Sequence, residues 1–243
     1  MKKKIQSLLQ RILGFENYLY YFSRLKISFF KGSTYEAEFF EFMNLIKEGT
    51  ILDIGANIGI TTVPLAKKFP QATVHAFEPI PANNVALKRI IQHYQLKNVQ
   101  QHEIALGEEK GVLKLVVPII NNVRMQGLSH VYVEGLNDEW NTGDIYNIPV
   151  LKIDEVSALQ TEEKITAIKI DVENYEYYVL KGAEQLLKKH KPVIYCELWA
   201  NEKREMVISF LKECGYSVKI FEGTKLIDFT NQDVTNFVFV NNG

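Results

Sequence analysis

Residues 50–59, with the sequence TILDIGANIG, constrain the fold of this chain more than any other segment. They predict a short apolar strand that contains Asp53 near its end and is followed by Gly55 and Gly59, ahead of a helix. A glycine can take a positive φ and lets backbone amides approach a ligand closely, as a sharp turn from a strand to a helix requires. The segment therefore predicts a cofactor-binding loop of the nucleotide type.

A second acidic residue follows the next apolar run. Residues 73–77 predict a second strand, and Glu78 and Pro79 come directly after it. Glu78 lies about 20 residues beyond Gly55, and in doubly wound sheets an acid at that spacing accepts hydrogen bonds from the ribose of an adenosine-type cofactor. We expect Glu78 to bind ribose, and the alternative is a surface charge beside Pro79.

The spacing of the glycines separates two kinds of adenosine cofactor. A dinucleotide loop has the pattern G-x-G-x-x-G, whose middle glycine lets the chain approach a pyrophosphate. This chain has G-x-N-x-G, and the side chain of Asn57 would crowd a pyrophosphate. Asn57 suits the amino-acid end of S-adenosylmethionine, whose carboxylate can lie at the N-terminus of the next helix. The pattern favours S-adenosylmethionine, with an NAD(P)-dependent oxidoreductase as the alternative.

Four segments that occur in a fixed order carry a family resemblance. They are residues 53–59 (DIGANIG), 77–79 (FEP), 168–173 (IKIDVE) and 179–183 (VLKGA). From residue 34 onward the chain resembles the FkbM family of S-adenosylmethionine-dependent methyltransferases. The resemblance implies O-methylation of a hydroxyl or carboxyl group on a sugar, a glycolipid or a secondary metabolite. Family members usually carry Gly where this chain has Asn174, which weakens the transfer of catalytic roles to Glu173 and Glu176.

Strand-like and helix-like periods alternate from residue 50 onward, which predicts an α/β fold with parallel strands and crossover helices. The seven predicted strands are residues 51–54, 73–77, 99–105, 167–171, 193–197, 217–221 and 236–240. No long helix separates the last two, so we expect a C-terminal antiparallel hairpin in a mostly parallel sheet. The resemblance implies the same Rossmann-like sheet, that of class I methyltransferases.

The remaining segments divide the chain further. Short β runs at residues 112–117, 128–133 and 148–153 predict an insertion between the third and fourth sheet strands. Apolar residues at helical spacing predict one helix across residues 179–187. Residues 1–49 are expected to form an N-terminal helical extension, and residues 50–243 the methyltransferase domain.

Each residue of the cofactor loop has an expected role. Asp53 should meet the methionine amino group or order a water beside it, or it could simply cap the next helix. Gly55 and Gly59 should shape the turn. Adenine should lie against Pro79 or Ile80 and the end of the third strand, near Ala105.

Methyl transfer from sulfonium to oxygen is a direct displacement, so the protein must align the reactants and remove the acceptor proton. Open α/β sheets bind ligands at the carboxyl ends of strands, which makes Asp171, Glu173 and Glu197 the candidate bases. Asp171 is the first candidate for the general base, because it should face the methyl group. It is also predicted to bind the cofactor. Glu173 could instead favour the dipole of the next helix.

Other chemistry near these acids is less favoured. The three acids could gather Mg²⁺, which prefers oxygen ligands, but the site is predicted to work without a metal. His130, in the insertion, is the alternative base. Together with Arg124, Tyr132 and Trp140 it is a candidate for recognition of a small-molecule or glycan acceptor, although each of the four could merely pack.

The N-terminus shows an amphipathic pattern, with Ile5, Leu8, Leu9 and Ile12 on one face of a helix. Such a helix either docks on the domain or lies on a membrane with its basic residues near anionic lipid. A capping-box pattern at residues 33–36 predicts a second helix, whose Tyr35 and Glu36 could reach the amino-acid end of the cofactor.

Charge and cysteine usage limit the possible partners and location. The formal net charge of -1 gives no reason to expect a nucleic-acid partner, since such binders usually have a basic excess. Cys196 and Cys214 are far apart and form no C-x-x-C pattern, so we expect reduced thiols and a cytoplasmic enzyme. A catalytically silent S-adenosylmethionine-binding protein is a further alternative, and the oligomeric state is open.

Overall fold

A computed structural model describes residues 2–30 and 37–241 of the chain. In these ranges the strands are β1 (Thr50–Ile54), β2 (Val74–Phe77), β3 (Val99–His102), β4 (Ala105–Leu106), β5 (Gly111–Ile120), β6 (Val123–Arg124), β7 (His130–Val131), β8 (Gly143–Leu151), β9 (Ile165–Ile170), β10 (Val193–Glu197), β11 (Tyr216–Glu222), β12 (Lys225–Asp228) and β13 (Asn236–Asn241). The helices are α1 (Lys2–Leu13), α2 (Phe15–Phe29), α3 (Ala37–Leu45), α4 (Thr62–Lys68), α5 (Pro81–His93), α6 (Ser157–Gln160), α7 (Glu176–Lys181), α8 (Glu184–His190) and α9 (Glu202–Glu213).

The main sheet has the strand order β12-β11-β13-β10-β9-β1-β2-β3, and its centre is parallel. All residues of β1, β2 and β9 are buried, as expected for parallel strands that are covered on both faces. The predicted α/β fold with a mostly parallel sheet is confirmed. Because β2, β1 and β9 are neighbours, the loops that follow them meet at one edge of the sheet.

The C-terminal end of the sheet is antiparallel. Strand β13 pairs antiparallel with both β10 and β11, which confirms the predicted hairpin. The prediction of seven strands is wrong by one, because β12 adds an eighth strand at the edge. Its four residues are exposed or half-buried, so they give no apolar alternation that would reveal a strand.

The predicted insertion forms a second sheet of five strands. Its centre is the long antiparallel pair of β5 and β8, with β4, β6 and β7 at the edges. The strand predicted at residues 99–105 ends at His102, because Ala105 and Leu106 pair with β8 of the second sheet instead. Only His130 and Val131 of the run 128–133 are in a strand, since a 3-10 helix at Gln126–Leu128 precedes them.

The N-terminal helices pack on the domain in different ways. Helix α2 buries Tyr18, Leu19 and Ser23, and the Ser23 hydroxyl donates to the Ile58 carbonyl of the cofactor loop at 2.6 Å. Helix α3 buries Phe42 against Tyr195 of β10, with ring centroids 5.2 Å apart. The capping box at residues 33–36, including Tyr35 and Glu36, lies outside the described residues. The division between residues 1–49 and 50–243 stays a prediction.

Helix α1 docks on the insertion through the polar edge that carries Gln10. Its Gln10 is buried against β6, whereas Ile5, Leu8, Leu9 and Ile12 are exposed. Within the described ranges, no helix combines the length and the apolar character that crossing a membrane requires.

The helix predicted across residues 179–187 is broken into α7 and α8. Gly182 caps α7, and a Cβ atom at this position would lie 1.9 Å from the carbonyl oxygen of Gly107, at the base of the insertion. The break therefore lets the helical layer and the insertion approach each other closely.

We expect Gly182→Ala to lower the free energy of unfolding by about 1–3 kcal/mol, because the added methyl group overpacks this contact. Urea denaturation monitored by circular dichroism measures the change. Gly111→Ala is the matched control, since its Cβ would lie 3.9 Å from the nearest side-chain atom, in Val150. Equal stability of the two variants would contradict the expectation.

Candidate active site

A pocket lies at the carboxyl ends of β1, β2 and β9, and the insertion contributes to its lining. The sequence-predicted residues that line it are Gly55, Asn57, Glu78, Pro79, Ala105, His130, Asp171 and Glu173. Asp53, Gly59 and Glu197 lie outside this lining. The topology therefore brings most of the predicted residues together in one place.

Gly55 lets β1 and β9 approach each other at the pocket. Its φ is 76°, and a Cβ atom here would lie 1.9 Å from the carbonyl oxygen of Asp171. The Asp171 N–H donates to the carbonyl of Ile54 at 3.1 Å. Any side chain at Gly55 would therefore separate the cofactor loop from the loop that carries the candidate bases.

Glu78 is buried at the end of β2 and organises the residues around it. Its carboxylate accepts the backbone N–H groups of Asn57 and Ile80, each at 2.8 Å, and the side-chain amide of Asn83 at 3.1 Å. Burial raises the pKa of Glu78 to about 7, although these hydrogen bonds act to lower it. Oε2 accepts only one of the three bonds, so it retains acceptor capacity that a ribose hydroxyl can use.

Three amide oxygens of the pocket residues are buried without a hydrogen-bond partner in the described part of the chain. They are Oδ1 of Asn57, Oδ1 of Asn83 and Oε1 of Gln126. An unsatisfied buried acceptor is costly, so each calls for a partner that the protein does not supply. The hydroxyl, amino and ammonium groups of S-adenosylmethionine are donors of the required kind. The residues present therefore fit this cofactor.

Apolar side chains line the part of the pocket nearest the end of β2. Ile80, Ala105 and Leu115 belong to one buried cluster, and Ile104, Leu106 and Leu113 also line the pocket. Pro79 lies beside them in the lining. A flat aromatic ring gains stability from apolar contact on its faces, and the adenine position at this surface stays a prediction.

Asp53 lies behind the pocket. It is fully buried, and its carboxylate accepts the hydroxyls of Thr61, at 3.0 Å and 3.1 Å, and of Thr62, at 2.7 Å. It thus joins the end of β1 to the start of α4. Gly59 also acts through packing, since its φ is 86° and a Cβ would lie 2.9 Å from Leu87 of α5.

Lys169 is a site residue whose role is visible only in the structure. Its buried ammonium donates to the Gly55 carbonyl at 2.9 Å and lies 3.6 Å from Asp53 and 3.7 Å from Asp171. Burial opposes the charge of Lys169, but the nearby carboxylates outweigh it and raise its pKa. A lysine in the middle of an apolar strand is the sequence signal that points to such a role.

Acidic residues crowd around this ammonium. Asp171 and Glu173 line the pocket, and 40% of the Asp171 side chain is exposed. Burial and then the charge of Asp171 raise the pKa of Glu173 to about 8 and that of Glu197 to about 7. Burial likewise raises the pKa of Glu176 to about 7. Several of these carboxyl groups can therefore exchange protons near neutral pH.

The loop after β9 holds Glu173 in an unusual backbone conformation. Glu173 and Asn174 have positive φ angles of 50° and 68°. Glu176 accepts the backbone N–H groups of Val172 at 3.2 Å and Asn174 at 3.1 Å, so it stabilises the loop and the start of α7. Asn174 occupies the left-handed region, which asparagine tolerates better than most other residues with a side chain.

The four insertion residues expected to recognise the acceptor are not grouped together. His130 lines the pocket, and its Nδ1 lies 2.9 Å from the carbonyl oxygen of Leu128. Donation from Nδ1 leaves Nε2 of a neutral ring able to accept a proton. Arg124 pairs with Asp144 at 2.6 Å, and neither Tyr132 nor Trp140 is part of the pocket lining. Gln126 and Ser129, which do line it, carry no pattern in the sequence that would identify them.

The magnesium alternative concerns Asp171, Glu173 and Glu197, and the possible metal sites of the structure bear on it. Among the described residues, no three or more His, Cys, Asp or Glu side chains are grouped in a way that could hold a metal ion.

Comparison with known proteins assigns residues 53–218 to a family model described as the methyltransferase FkbM domain. Methyltransferase 1 of Beauveria bassiana is 27% identical over 67% of this chain and 69% of its own. The 31-O-demethyl-FK506 methyltransferase FkbM of Streptomyces tacrolimicus is 29% identical over 55% of this chain and 59% of its own. A solved methyltransferase FkbM from Methylobacillus flagellatus shares the fold, with a TM-score of 0.55 and 18% identity over 81% of this chain. The chain spans 45% of the length of that solved protein.

We expect Lys169→Met to lower the free energy of unfolding by about 3–5 kcal/mol, because it leaves buried carboxylates without their cation. Lys169 also acts to lower the pKa values of Glu78, Glu173 and Glu197, so its loss raises them further in the folded protein. A carboxyl group whose pKa is higher in the folded than in the unfolded protein destabilises the folded state as the pH rises. The loss of unfolding free energy should therefore be greater at about pH 8 than at about pH 5.

Urea denaturation at both pH values measures these differences. Lys219→Met is the control, since Lys219 pairs with the exposed Asp228 at 2.7 Å, and such a surface pair contributes about 1 kcal/mol or less. A loss for Lys169→Met that is no larger than the control, or that does not change with pH, would contradict the central role of this ammonium.

Proposed function

The chain belongs to the FkbM methyltransferase family, whose cofactor is S-adenosyl-L-methionine, and on that premise we propose that it methylates an oxygen atom of a small-molecule or glycan acceptor. The acceptor is a hydroxyl or carboxyl group of a sugar, a glycolipid or a secondary metabolite. The observation that carries the proposal is that a buried acid after β2, three unsatisfied amide oxygens and carboxyl groups with raised pKa values meet in one pocket.

The cofactor-binding residues form three groups around the pocket. Glu78 would accept hydrogen bonds from the ribose hydroxyls, and the apolar surface near Pro79 and Ala105 would hold the adenine ring. Asn57 and Gly55 would border the amino-acid end of S-adenosylmethionine. Asp53 acts from behind, since it holds α4 and Lys169 rather than the ligand. S-adenosylmethionine supplies a methyl group that its sulfonium activates for displacement.

Proton removal from the acceptor falls to the acids at the end of β9. Asp171 and Glu173 both border the pocket, and the pKa of Glu173, about 8, suits a general base near neutral pH. Asp171 is half-exposed and oriented by Lys169, so it can align the acceptor hydroxyl. Glu197 lies outside the lining and contributes charge to the cluster. His130 is the alternative base on the insertion side.

Two observations favour oxygen as the acceptor atom. They are the name of one relative and the raised pKa values of carboxyl groups at the pocket. The name of the Streptomyces relative refers to 31-O-demethyl-FK506, in which an oxygen lacks a methyl group. A hydroxyl acceptor also needs a base, and the pocket provides several carboxyl groups with raised pKa values. Ser129 and Gln126 are polar residues of the insertion that line the pocket, so we assign them to acceptor recognition.

The cofactor assignment is tested by calorimetry with S-adenosylmethionine, S-adenosylhomocysteine and NAD. We expect the first two to bind and NAD not to bind. Glu78→Gln should weaken the binding of S-adenosylmethionine and of S-adenosylhomocysteine about tenfold or more, since one acceptor oxygen of a buried carboxylate is replaced by a donor. Glu103→Gln, at an exposed acid next to β3, is the matched control. NAD binding in the same pocket would support the oxidoreductase instead.

The base assignment is tested by the pH dependence of methyl transfer. The rate constant should rise with pH and level off above about pH 8, because Glu173 must lose its proton to act as a base. Glu173→Gln should abolish this dependence and lower turnover about 100-fold or more. Asp171→Asn should lower turnover more than it lowers cofactor affinity.

His130→Gln provides the comparison on the other wall of the pocket. If it removes the pH dependence while Glu173→Gln does not, His130 is the base. Tight cofactor binding without transfer to any oxygen acceptor would favour the catalytically silent alternative.

A further inference from the structure

Helix α1 presents an apolar stripe to solvent. Ile5, Leu8, Leu9 and Ile12 are 54%, 56%, 41% and 68% exposed, and their i, i+3, i+4, i+7 spacing places them on one face of the helix. The neighbouring helix α2 exposes three more large side chains, Tyr21, Leu25 and Phe29. A row of exposed apolar side chains like the one on α1 usually marks a binding surface.

Helix α1 is firmly attached to the domain, although its apolar stripe faces solvent. Gln10, on another face of α1, is only 7% exposed and makes two hydrogen bonds to one residue of β6. Its amide donates to the Arg124 carbonyl at 3.1 Å, and its carbonyl accepts the Arg124 N–H at 3.0 Å. The polar edge of α1 therefore docks on the domain, and the apolar stripe remains available.

The charges of α1 indicate what covers this stripe. The helix has the sequence KKKIQSLLQRIL, which contains four basic residues and no acidic one. Lys4 and Arg11 are exposed and lie two helical turns apart, so they flank the stripe on the same side. An apolar face bordered by basic residues is the arrangement by which interfacial helices bind anionic lipid.

We propose that α1 docks on an anionic lipid surface, with Ile5, Leu8, Leu9 and Ile12 in the headgroup region and Lys4 and Arg11 near lipid phosphates. A second copy of the chain is a poorer occupant of the same face. In a symmetric dimer the basic residues of both helices would approach each other, and α1 has no acid to pair with them. The proposal does not depend on the identity of the methyl acceptor.

The docking is tested by sedimentation of the full chain with vesicles. We expect binding to phosphatidylcholine vesicles that contain about a third phosphatidylglycerol, and weak binding to phosphatidylcholine alone. The double variant Leu8→Gln, Ile12→Gln should lower the partition coefficient about tenfold or more. Lys4→Gln with Arg11→Gln should lower binding to anionic vesicles by about tenfold and reduce its salt dependence.

The matched control is Val112→Gln with Ile145→Gln, which replaces exposed apolar residues of the insertion, 67% and 50% exposed, and should leave vesicle binding unchanged. Circular dichroism and cofactor binding show that each variant is folded. Absence of binding to anionic vesicles, or equal loss in the control, would overturn the proposal. It would also be overturned if light scattering showed a wild-type dimer that Leu8→Gln, Ile12→Gln converts to a monomer, since the stripe would then serve self-association.

Discussion

The ammonium of Lys169 holds the ends of the two central strands together. It donates to the carbonyl of Gly55 and lies within ion-pair distance of Asp53 and Asp171, so β1 and β9 share one buried cation. A side chain at Gly55 would prevent these strand ends from approaching as closely as they do. The position of the cofactor loop relative to the candidate bases therefore depends on a single buried charge and one missing Cβ atom.

The same cation accounts for much of the electrostatic character of the pocket. One ammonium is surrounded by more carboxyl groups than it can neutralise, and burial adds to their mutual repulsion. Glu173 shows the result, because its pKa is raised even though Lys169 acts to lower it. The left-handed backbone at Glu173 and Asn174 keeps this acid at the pocket wall. Electrostatic strain is thus concentrated where proton transfer is proposed to occur.

The sequence predicts what depends on local pattern and strand order. The apolar runs, Gly55 and Glu78 fix the central strands and one wall of the pocket, because loops after neighbouring parallel strands must meet. It does not predict the direction of a side chain, so the inward-facing Asp53 and the docked polar edge of α1 emerge only from the fold. Nor does it identify Gln126, whose position depends on how the insertion folds over the sheet. The edge strand β12 is missed because it buries too little to show a pattern.

The hydrogen bond from Ser23 to Ile58 connects the N-terminal helices to the centre of the domain. The serine is fully buried, and its hydroxyl occupies an acceptor directly beside Asn57 in the cofactor loop. A substitution that removes this hydroxyl leaves the Ile58 carbonyl without the donor that α2 supplies. The conformation of the cofactor loop is thereby coupled to the packing of a helix that lies far from it in the sequence.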